Sequence, residues 1–178
     1  MKKFFRRALT AIFIVALMIS ATTAQAIERV PNEKEILADM YAHPSNYIYY
    51  GGASTGLSFF IVRNSLNVEL YNPPNYIISV RGITRFDSGK DQGILSEHII
   101  RYKYDYTVRK MYMERQDQNK NVSWEYLEPV VKKGVKSYLY NNFVAAGEVL
   151  FYIAYKKSFY DKPLNDSFKN FLAKEHTR

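Results

Sequence analysis

Between Ile100 and Arg109, apolar and charged residues alternate with a period of two, and no other segment restricts the fold of the chain as strongly. Successive side chains of a β-strand point to opposite faces, so this alternation predicts a strand with one buried and one solvated face. The buried set is Ile100, Tyr102, Tyr104, Tyr106 and Val108, and the solvated set is Arg101, Lys103, Asp105, Thr107 and Arg109. Half-buried strands of this kind are typical of antiparallel sheets.

Further strands are predicted on both sides of this run. The alternation extends towards Glu114, a length that either one long strand or two strands joined by a turn can supply. Apolar runs and alternation predict the other strands at 47–50, 57–62, 66–70, 76–86 and 123–127. Gly82 is expected to form a β-bulge within its strand.

Three segments have helical periodicity instead. A short helix is expected after Asn32, ending at His43-Pro44, and a longer one over Phe143–Tyr155 with Asn141 or Asn142 as its cap. A final short helix is expected after Asn165 or Asp166. The chain is therefore predicted to form an α+β domain, with an antiparallel sheet of about 4–6 strands packed on a C-terminal helix and a short N-terminal helix.

Residues 1–26 have the pattern of a cleavable signal peptide. Basic residues precede a twelve-residue run from Ala8 to Ile19 that is shorter than the roughly 20 residues a membrane span needs. Ala24-Gln25-Ala26 is a cleavage signature. Cleavage after Ala26 predicts an exported single domain, 27–178, in the periplasm, at the cell surface or outside the cell, without a transmembrane segment.

Removal of this leader changes the charge of the chain. The leader holds four of the 25 Lys and Arg residues and none of the 17 Asp and Glu residues, so the net charge falls from +8 to +4. The mature domain is thus only moderately basic.

Several kinds of site are excluded or unsupported. The chain contains no Cys, which excludes disulfides, Cys-ligated metal centres and cysteine nucleophiles. Gly51-Gly52 lacks the spacing of a phosphate-binding loop. The loop from Asp87 to Gly93 lacks the third acid and the distal Glu of a calcium loop. We therefore predict no metal site and no cofactor.

Candidates for catalysis are few. Among the three histidines, only His98 is placed to act as a general base. Ser96, His98 and Asp105 can be combined as a triad, but no nucleophile-elbow motif supports it, and Ser96 is too near His98 in sequence for the usual convergence of distant loops. Glu148 is an unusual acid within an apolar helical stretch. We predict a non-enzymatic protein without catalytic residues.

The 16 tyrosines allow two interpretations. They can form the rim of the core, or they can form an exposed aromatic surface for a protein or glycan partner. The candidate binding residues are Tyr47, Tyr49, Tyr50, Tyr71 and Tyr76, with Arg101 and Lys103 on the charged strand face. Tyr71 and Tyr76 flank the turn Asn72-Pro73-Pro74-Asn75, which we expect to hold them rigidly.

Basic and aromatic residues also interleave from Arg101 to Arg115, which raises the question of nucleic acid. A stacking platform for bases needs aromatic rings on the same exposed face as the positive charges. Along this run the tyrosines alternate with the charges and are expected on the opposite face. We therefore predict no nucleic-acid partner.

Three elements together resemble small exported bacterial domains of the adhesin E-like family, over roughly Asn46 to Tyr160. They are Ser65–Val68 with Tyr71–Val80, Tyr102–Tyr106 with Arg109–Tyr112, and Trp124 with Leu127-Glu128-Pro129, the helix through Ala145–Tyr152 and Phe159-Tyr160. The resemblance implies an antiparallel sheet backed by a C-terminal helix and adhesion to host matrix or plasma proteins. The adhesin that this chain resembles is lipid-anchored and has a disulfide bond, and both features require cysteine. This chain contains no Cys.

The function expected from the sequence is an adhesin-like contact with a protein or a surface. The alternative is a periplasmic binding or accessory module for an envelope glycan or protein, using exposed tyrosines. A flat charged sheet face or a protruding hairpin would favour the adhesin-like contact. A cluster of tyrosines in a groove would favour the periplasmic binding module. His98 bonded to a carboxylate and a serine hydroxyl in a cleft would indicate a hydrolase. The sequence does not determine the oligomeric state.

Overall fold

A computed structural model of the chain describes residues 32–87, 93–129 and 137–177, which form a seven-stranded antiparallel sheet with helices on both faces. The strands are β1 (Tyr47–Ala53), β2 (Leu57–Val62), β3 (Asn67–Asn72), β4 (Asn75–Phe86), β5 (Gly93–Asp105), β6 (Lys110–Gln116) and β7 (Val122–Leu127). The helices are α1 (Glu33–Ala42), α2 (Ser137–Tyr155) and α3 (Asp166–His176). The predicted α+β fold is confirmed, with one strand more than the expected range, and α3 is the final short helix expected after Asn165 or Asp166.

The signal-peptide prediction and most of the loop after Asp87 lie outside the described residues. Within the described ranges, no helix has the length and apolar character needed to cross a bilayer.

The two longest strands, β4 and β5, organise the sheet. The strand order is β1-β2-β4-β5-β6-β7, and β3 pairs with β4 beside this path. β2 pairs with Gly82–Phe86 and β3 with Asn75–Ser79, so two short strands share one edge of β4. β3 and the first half of β4 therefore form a hairpin beside β2, and the turn of this hairpin contains Pro73-Pro74.

The alternating run that predicted a strand contains one strand and a turn. β5 ends at Asp105, and β6 begins at Lys110 after a turn through residues 106–109. Val108 and Arg109 therefore do not follow the predicted faces. Val108 is 55% exposed, while Arg109 has a φ of 53° and donates from Nη1 to the Phe159 carbonyl at 2.7 Å.

Gly82 does not form the predicted bulge. Its strand keeps a regular register there, and the shift against β5 occurs between Thr84 and Arg85. Ile100 packs over Gly82 so closely that a Cβ at this position would lie 2.4 Å from Ile100 Cδ1. The glycine provides room for a core side chain.

The main core lies between the sheet and α2 with α3. Tyr102 and Tyr104 of β5 are fully buried, and their hydroxyls donate to the carbonyls of Phe143 and Gly147, both at 2.9 Å. These acceptors are one turn apart on α2, so the two tyrosines attach this helix to the centre of the sheet.

α2 begins earlier than predicted, at Ser137, and this changes the role of Asn142. Asn142 lies inside the helix and is buried, and its Nδ2 donates to the Gly52 carbonyl of β1 at 3.0 Å. It joins the helix to the edge strand and does not cap the helix.

α1 covers part of the opposite sheet face with a smaller core. Its buried members are Ile36, Met40, Tyr47, Val62, Ile83 and Ile94. Val62 and Ile61 are consecutive and belong to different cores, as the two faces of a strand require. Asn32 occupies the cap position of α1 without a side-chain hydrogen bond, whereas Asn165 Oδ1 accepts from Phe168 N at 2.9 Å and caps α3 as predicted.

Candidate functional site

The residues of the hypothetical triad do not come together. Ser96, His98 and Asp105 all belong to β5, and seven residues of extended strand separate His98 from Asp105 by roughly 23 Å. Asp105 Oδ1 instead accepts from the backbone of Thr107 and Val108 at 3.0 and 3.3 Å. His98 is an exposed residue whose ring is partly desolvated by its strand neighbours, which lowers its pKa.

Glu148 is completely buried in α2 and has a structural contact on each carboxyl oxygen. Leu164 N donates to Oε1 at 3.3 Å and Asn165 Nδ2 donates to Oε2 at 3.2 Å. Burial raises the pKa of Glu148 to about 8, and the bond from Leu164 N opposes this change. The carboxyl group connects α2 to the start of α3.

A second polar constellation joins α1 to β1. His43 Nδ1 lies 2.8 Å from Asp39 Oδ1, and the Tyr47 hydroxyl donates to Asp39 Oδ2. The bonds from Tyr47 and His43 lower the pKa of Asp39. Burial, together with Asp39, raises the pKa of Tyr47 to about 12, so this phenol keeps its proton and is a poor nucleophile. Among the described residues, no three His, Cys, Asp or Glu side chains are grouped so that they could hold a metal ion.

The five predicted binding tyrosines lie in different environments. Tyr47 and Tyr50 are buried, in contrast to the exposed surface expected for them, because Tyr47 packs in the smaller core with α1 and Tyr50 packs in the main core on the other sheet face. Burial raises the pKa of Tyr50. Tyr49 and Tyr71 are 54% and 66% exposed, and Tyr76 is half-buried.

Tyr71 and Tyr76 belong to a tyrosine cluster that also contains Tyr106 and Tyr155. The ring centroids of Tyr71 and Tyr76 are 5.7 Å apart, and those of Tyr76 and Tyr155 are 5.0 Å apart. The core residue Phe151 lies 5.5 Å from Tyr76, so the cluster is continuous with the core. Tyr155 was not among the predicted binding residues. Its position at the end of an apolar helix could have indicated that its ring lies at the edge of the core.

Arg101 and Lys103 lie on a part of the sheet that no described helix covers, which we call the open sheet face. Its residues are Arg101, Lys103, Lys110, Tyr112, Trp124 and Tyr126. Lys103 lies opposite Tyr112, which lies opposite Tyr126. The same cross-strand row therefore carries one cation and two aromatic rings.

Cations and rings alternate closely on the open sheet face. Lys103 Nζ lies 4.8 Å from the centre of the Tyr112 ring and 5.3 Å from that of Trp124. Arg101 Cζ lies 5.6 Å from Trp124, and Lys110 Nζ lies 5.9 Å from Tyr126. All of these separations are within the range of cation–π attraction.

Arg101 is additionally fixed by two carboxylates. Its guanidinium contacts Glu69 at 2.5 Å and also pairs with Glu114. The hydrogen bonds from Arg101 lower the pKa of Glu69. Lys103, in contrast, makes no ion pair with any described residue.

The sequence argument against a mixed aromatic and basic face was wrong for the sheet as a whole. The tyrosines of β5 itself are buried, as the alternation predicted. Strands β6 and β7, however, place Tyr112, Trp124 and Tyr126 on the same face as Arg101 and Lys103. The alternation of Trp124 and Tyr126 within β7 is a signal for this arrangement.

A small cleft of about 260 Å³ lies beside the start of β1. Its walls are the turn Pro44–Asn46, the first residues of β1, Arg63 and one side of α3. Among the predicted site residues, Tyr47 and Tyr49 line it. Arg63 closes one end through a bidentate ion pair with Glu175, at 3.1 and 2.5 Å.

Comparisons with protein-family models, with curated proteins and with solved structures gave no match for this chain.

Proposed function

We propose that this chain is an exported, non-enzymatic binding domain of adhesin-like type that contacts a protein partner through its open sheet face. The observation that supports this proposal is the close alternation of cations and aromatic rings around Lys103 and Trp124 on the open sheet face. The sequence resemblance to adhesin E-like domains and the leader pattern support the export and adhesion parts of the proposal.

The composition of the open sheet face suits a protein contact. Trp, Tyr and Arg dominate the energetic centres of protein interfaces, and all three residue types occur here on adjacent strands. The carboxylates around Arg101 and the packed rings hold these side chains in place before binding. Such preorganisation reduces the entropy lost on association.

The first experiment is to localise the untagged native protein by fractionation and protease accessibility on intact cells. Surface exposure or release supports the adhesin-like function, and confinement to the periplasm contradicts it. For an exposed protein, purified domain is then tested against a panel of purified host matrix and plasma proteins.

Variants show whether the open sheet face is the contact. Trp124→Ala and Lys103→Gln should weaken binding at least about tenfold each, the effect of losing roughly 1.4 kcal/mol. Tyr41→Ala is the control, because Tyr41 is an exposed aromatic residue of α1 and is not one of the residues of the open sheet face. Equal affinities of all three variants for the partner would exclude the open sheet face as the binding surface.

The alternative proposal is a periplasmic module that binds an envelope glycan or protein through exposed tyrosines. The tyrosine cluster favours it, since Tyr71 exposes its ring while Tyr76 and Tyr155 support it from the core side. Tyr71→Ala should reduce binding to purified peptidoglycan fragments without changing the melting temperature. Retention of such binding by this variant would count against the cluster.

A further inference from the structure

Tyr71 of β3 and Tyr155 at the end of α2 are in ring contact, although they come from distant parts of the chain. Their ring centroids are 5.9 Å apart and their planes are inclined by 41°. Two rings that touch edge to edge, with carbon atoms ~3.5 Å apart, have centroids roughly 6 Å apart. The two rings are therefore close enough for a covalent bond between their edges to form after a small movement.

The two phenols differ in their access to solvent. Tyr71 is 66% exposed, whereas Tyr155 is half-buried and its hydroxyl is enclosed without a hydrogen-bond partner among the described residues. Burial raises the pKa of Tyr155 to about 12, and the nearby phenols of Tyr76 and Tyr71 add to this effect. A soluble oxidant therefore reaches Tyr71 more readily than Tyr155, while the two phenols remain neighbours.

Cations lie over several other tyrosine rings and make those rings harder to oxidise. Tyr112 and Tyr126 are 5.5 Å apart on the open sheet face, but Lys103 Nζ lies 4.8 Å from the first ring and Lys110 Nζ lies 5.9 Å from the second. A guanidinium likewise lies 3.6 Å from the centre of the Tyr106 ring. A cation is attracted by the electrons of a ring, so the removal of an electron costs that attraction. No described Lys or Arg lies in this way over either ring of the contact between β3 and α2.

We propose that Tyr71 and Tyr155 are a site of oxidative cross-linking, at which a haem peroxidase with hydrogen peroxide joins the two rings as dityrosine. The link connects the β3–β4 hairpin to the end of α2. Cross-links between residues far apart in sequence stabilise a fold by restricting the unfolded chain. The chain has no Cys with which to form a disulfide for this purpose. The inference is independent of both functions proposed above, since the reaction needs no binding partner.

The reaction removes two electrons and two protons from the pair. The peroxidase takes one electron from Tyr71, whose phenolic proton passes to water. Tyr155 then gives its hydroxyl hydrogen atom to the Tyr71 radical, which restores the Tyr71 phenol and moves the radical inwards. A second oxidation of Tyr71 leaves two radicals in contact, and a bond forms between the carbons ortho to their oxygens. The hydrogen on each of these carbons moves to the oxygen of its own ring, and one hydrogen peroxide has been reduced to two waters.

The test is treatment of the purified protein, at low concentration, with a haem peroxidase and hydrogen peroxide. Dityrosine fluorescence, denaturing gel electrophoresis and mass spectrometry are the measurements, and we expect a fluorescent monomer that has lost two hydrogen atoms. Trypsin cuts after Lys and Arg, so it places Tyr71 in peptide 64–81 and Tyr155 in peptide 137–156. These two peptides should be joined. Dityrosine only between molecules, or no dityrosine at all, would overturn the proposal.

Single substitutions identify the two rings that react. Tyr71→Phe and Tyr155→Phe should each remove the joined peptides. Tyr49→Phe is the control and should keep them, because Tyr49 is 54% exposed and its described ring contact is with Phe60, which has no phenol. Joined peptides in Tyr71→Phe would contradict the assignment.

Tyr76 is the main competitor, because its ring lies 5.0 Å from Tyr155 and 5.7 Å from Tyr71. Tyr76→Phe should keep the joined peptides. If this variant lost them while Tyr71→Phe kept them, the bond would belong to Tyr76 and the proposal would be wrong. A bond between Tyr71 and Tyr76 would stay within peptide 64–81 and leave the two peptides separate, which would also refute it.

Thermal unfolding measures the effect of the link on the fold. The cross-linked monomer should melt at a higher temperature than the untreated protein. Tyr155→Phe loses no hydrogen bond to a described residue, so before treatment it should melt like the unsubstituted protein, and treatment should not raise its melting temperature. An equal rise in both proteins would show that the stabilisation comes from another modification.

Discussion

The hydroxyl of Tyr104 donates a hydrogen bond of 2.9 Å to the carbonyl of Gly147, inside the main core. Tyr104 is fully buried, and burial raises its pKa well above the ordinary value, so the phenol remains a donor. The bond joins α2 to β5 in the middle of the sheet. It explains why a polar side chain occupies a central core position.

Tyr104→Phe should therefore destabilise the domain modestly. The variant keeps the ring and loses one buried hydrogen bond, and the expected decrease in the free energy of unfolding is about 1 kcal/mol. Urea unfolding followed by circular dichroism measures it. Tyr41→Phe is the control, since Tyr41 is exposed and should show no change. An unchanged urea midpoint in Tyr104→Phe would mean that the hydrogen bond makes no net contribution to the free energy of unfolding.

Gly147→Ala should destabilise the domain although alanine is the better helix former by about 1 kcal/mol. A Cβ at position 147 would lie 2.1 Å from Met111 Sδ and 2.9 Å from the ring of Tyr102. Overpacking of this kind typically costs about 1–3 kcal/mol. Thermal unfolding should show a lower melting temperature.

Two further variants locate the cause of that loss. Asn141→Ala, at an exposed position of the same helix, should be neutral or slightly stabilising. In a Met111→Ala background, Gly147→Ala should cost less than in the natural chain, because the closest contact is gone. Additive costs would exclude Met111 as the source of the clash.

Glu148 makes stability depend on pH. Its pKa is raised from 4.5 to about 8 in the folded state, so the folded protein binds more protons than the unfolded chain between these values. The free energy of unfolding should therefore fall as pH rises through this window and level off above it. Because a tenfold change in proton affinity corresponds to about 1.4 kcal/mol, the total decrease should be on the order of several kcal/mol.

Glu148→Gln tests this directly. The amide has nearly the same shape, still accepts from Leu164 N, and does not ionise. Chemical unfolding at pH 5 and pH 9 should give similar stability for both proteins at the lower pH and a more stable variant at the higher pH. Other titrating groups cancel in this comparison, so parallel pH profiles would show that Glu148 does not cause the pH dependence.

Arg101→Gln should raise the pKa of Glu69. The guanidinium hydrogen-bonds this carboxylate and lowers its pKa, an effect that disappears with the charge. Carboxyl carbon chemical shifts measured against pH report the change at the single residue. Lys103→Gln is the comparison, since Lys103 contacts rings instead of Glu69, and it should move this pKa less. A larger change of the Glu69 pKa in Lys103→Gln than in Arg101→Gln would contradict the ion pair between Arg101 and Glu69.

Local patterns determined the elements of this fold. Alternation predicted the buried faces of Tyr102 and Tyr104, because the period of a strand depends only on the residues within it. The cap at Asn165 was likewise predictable, because its partner, Phe168 N, is three residues away. Such predictions succeed where the interacting groups are close in sequence.

Tertiary structure decided everything that depends on which segments become neighbours. The pairing of β6 and β7 with β5 placed Tyr112 and Trp124 beside Lys103, which no pattern within one strand contains. Packing of the main core against one face of β1 buried Tyr50, while Tyr49 on the other face remained exposed. The sequence by itself determined the type and period of the elements, because the period follows from local backbone geometry. The surfaces available for binding arise only when distant segments pack together, because burial is a property of the assembled core.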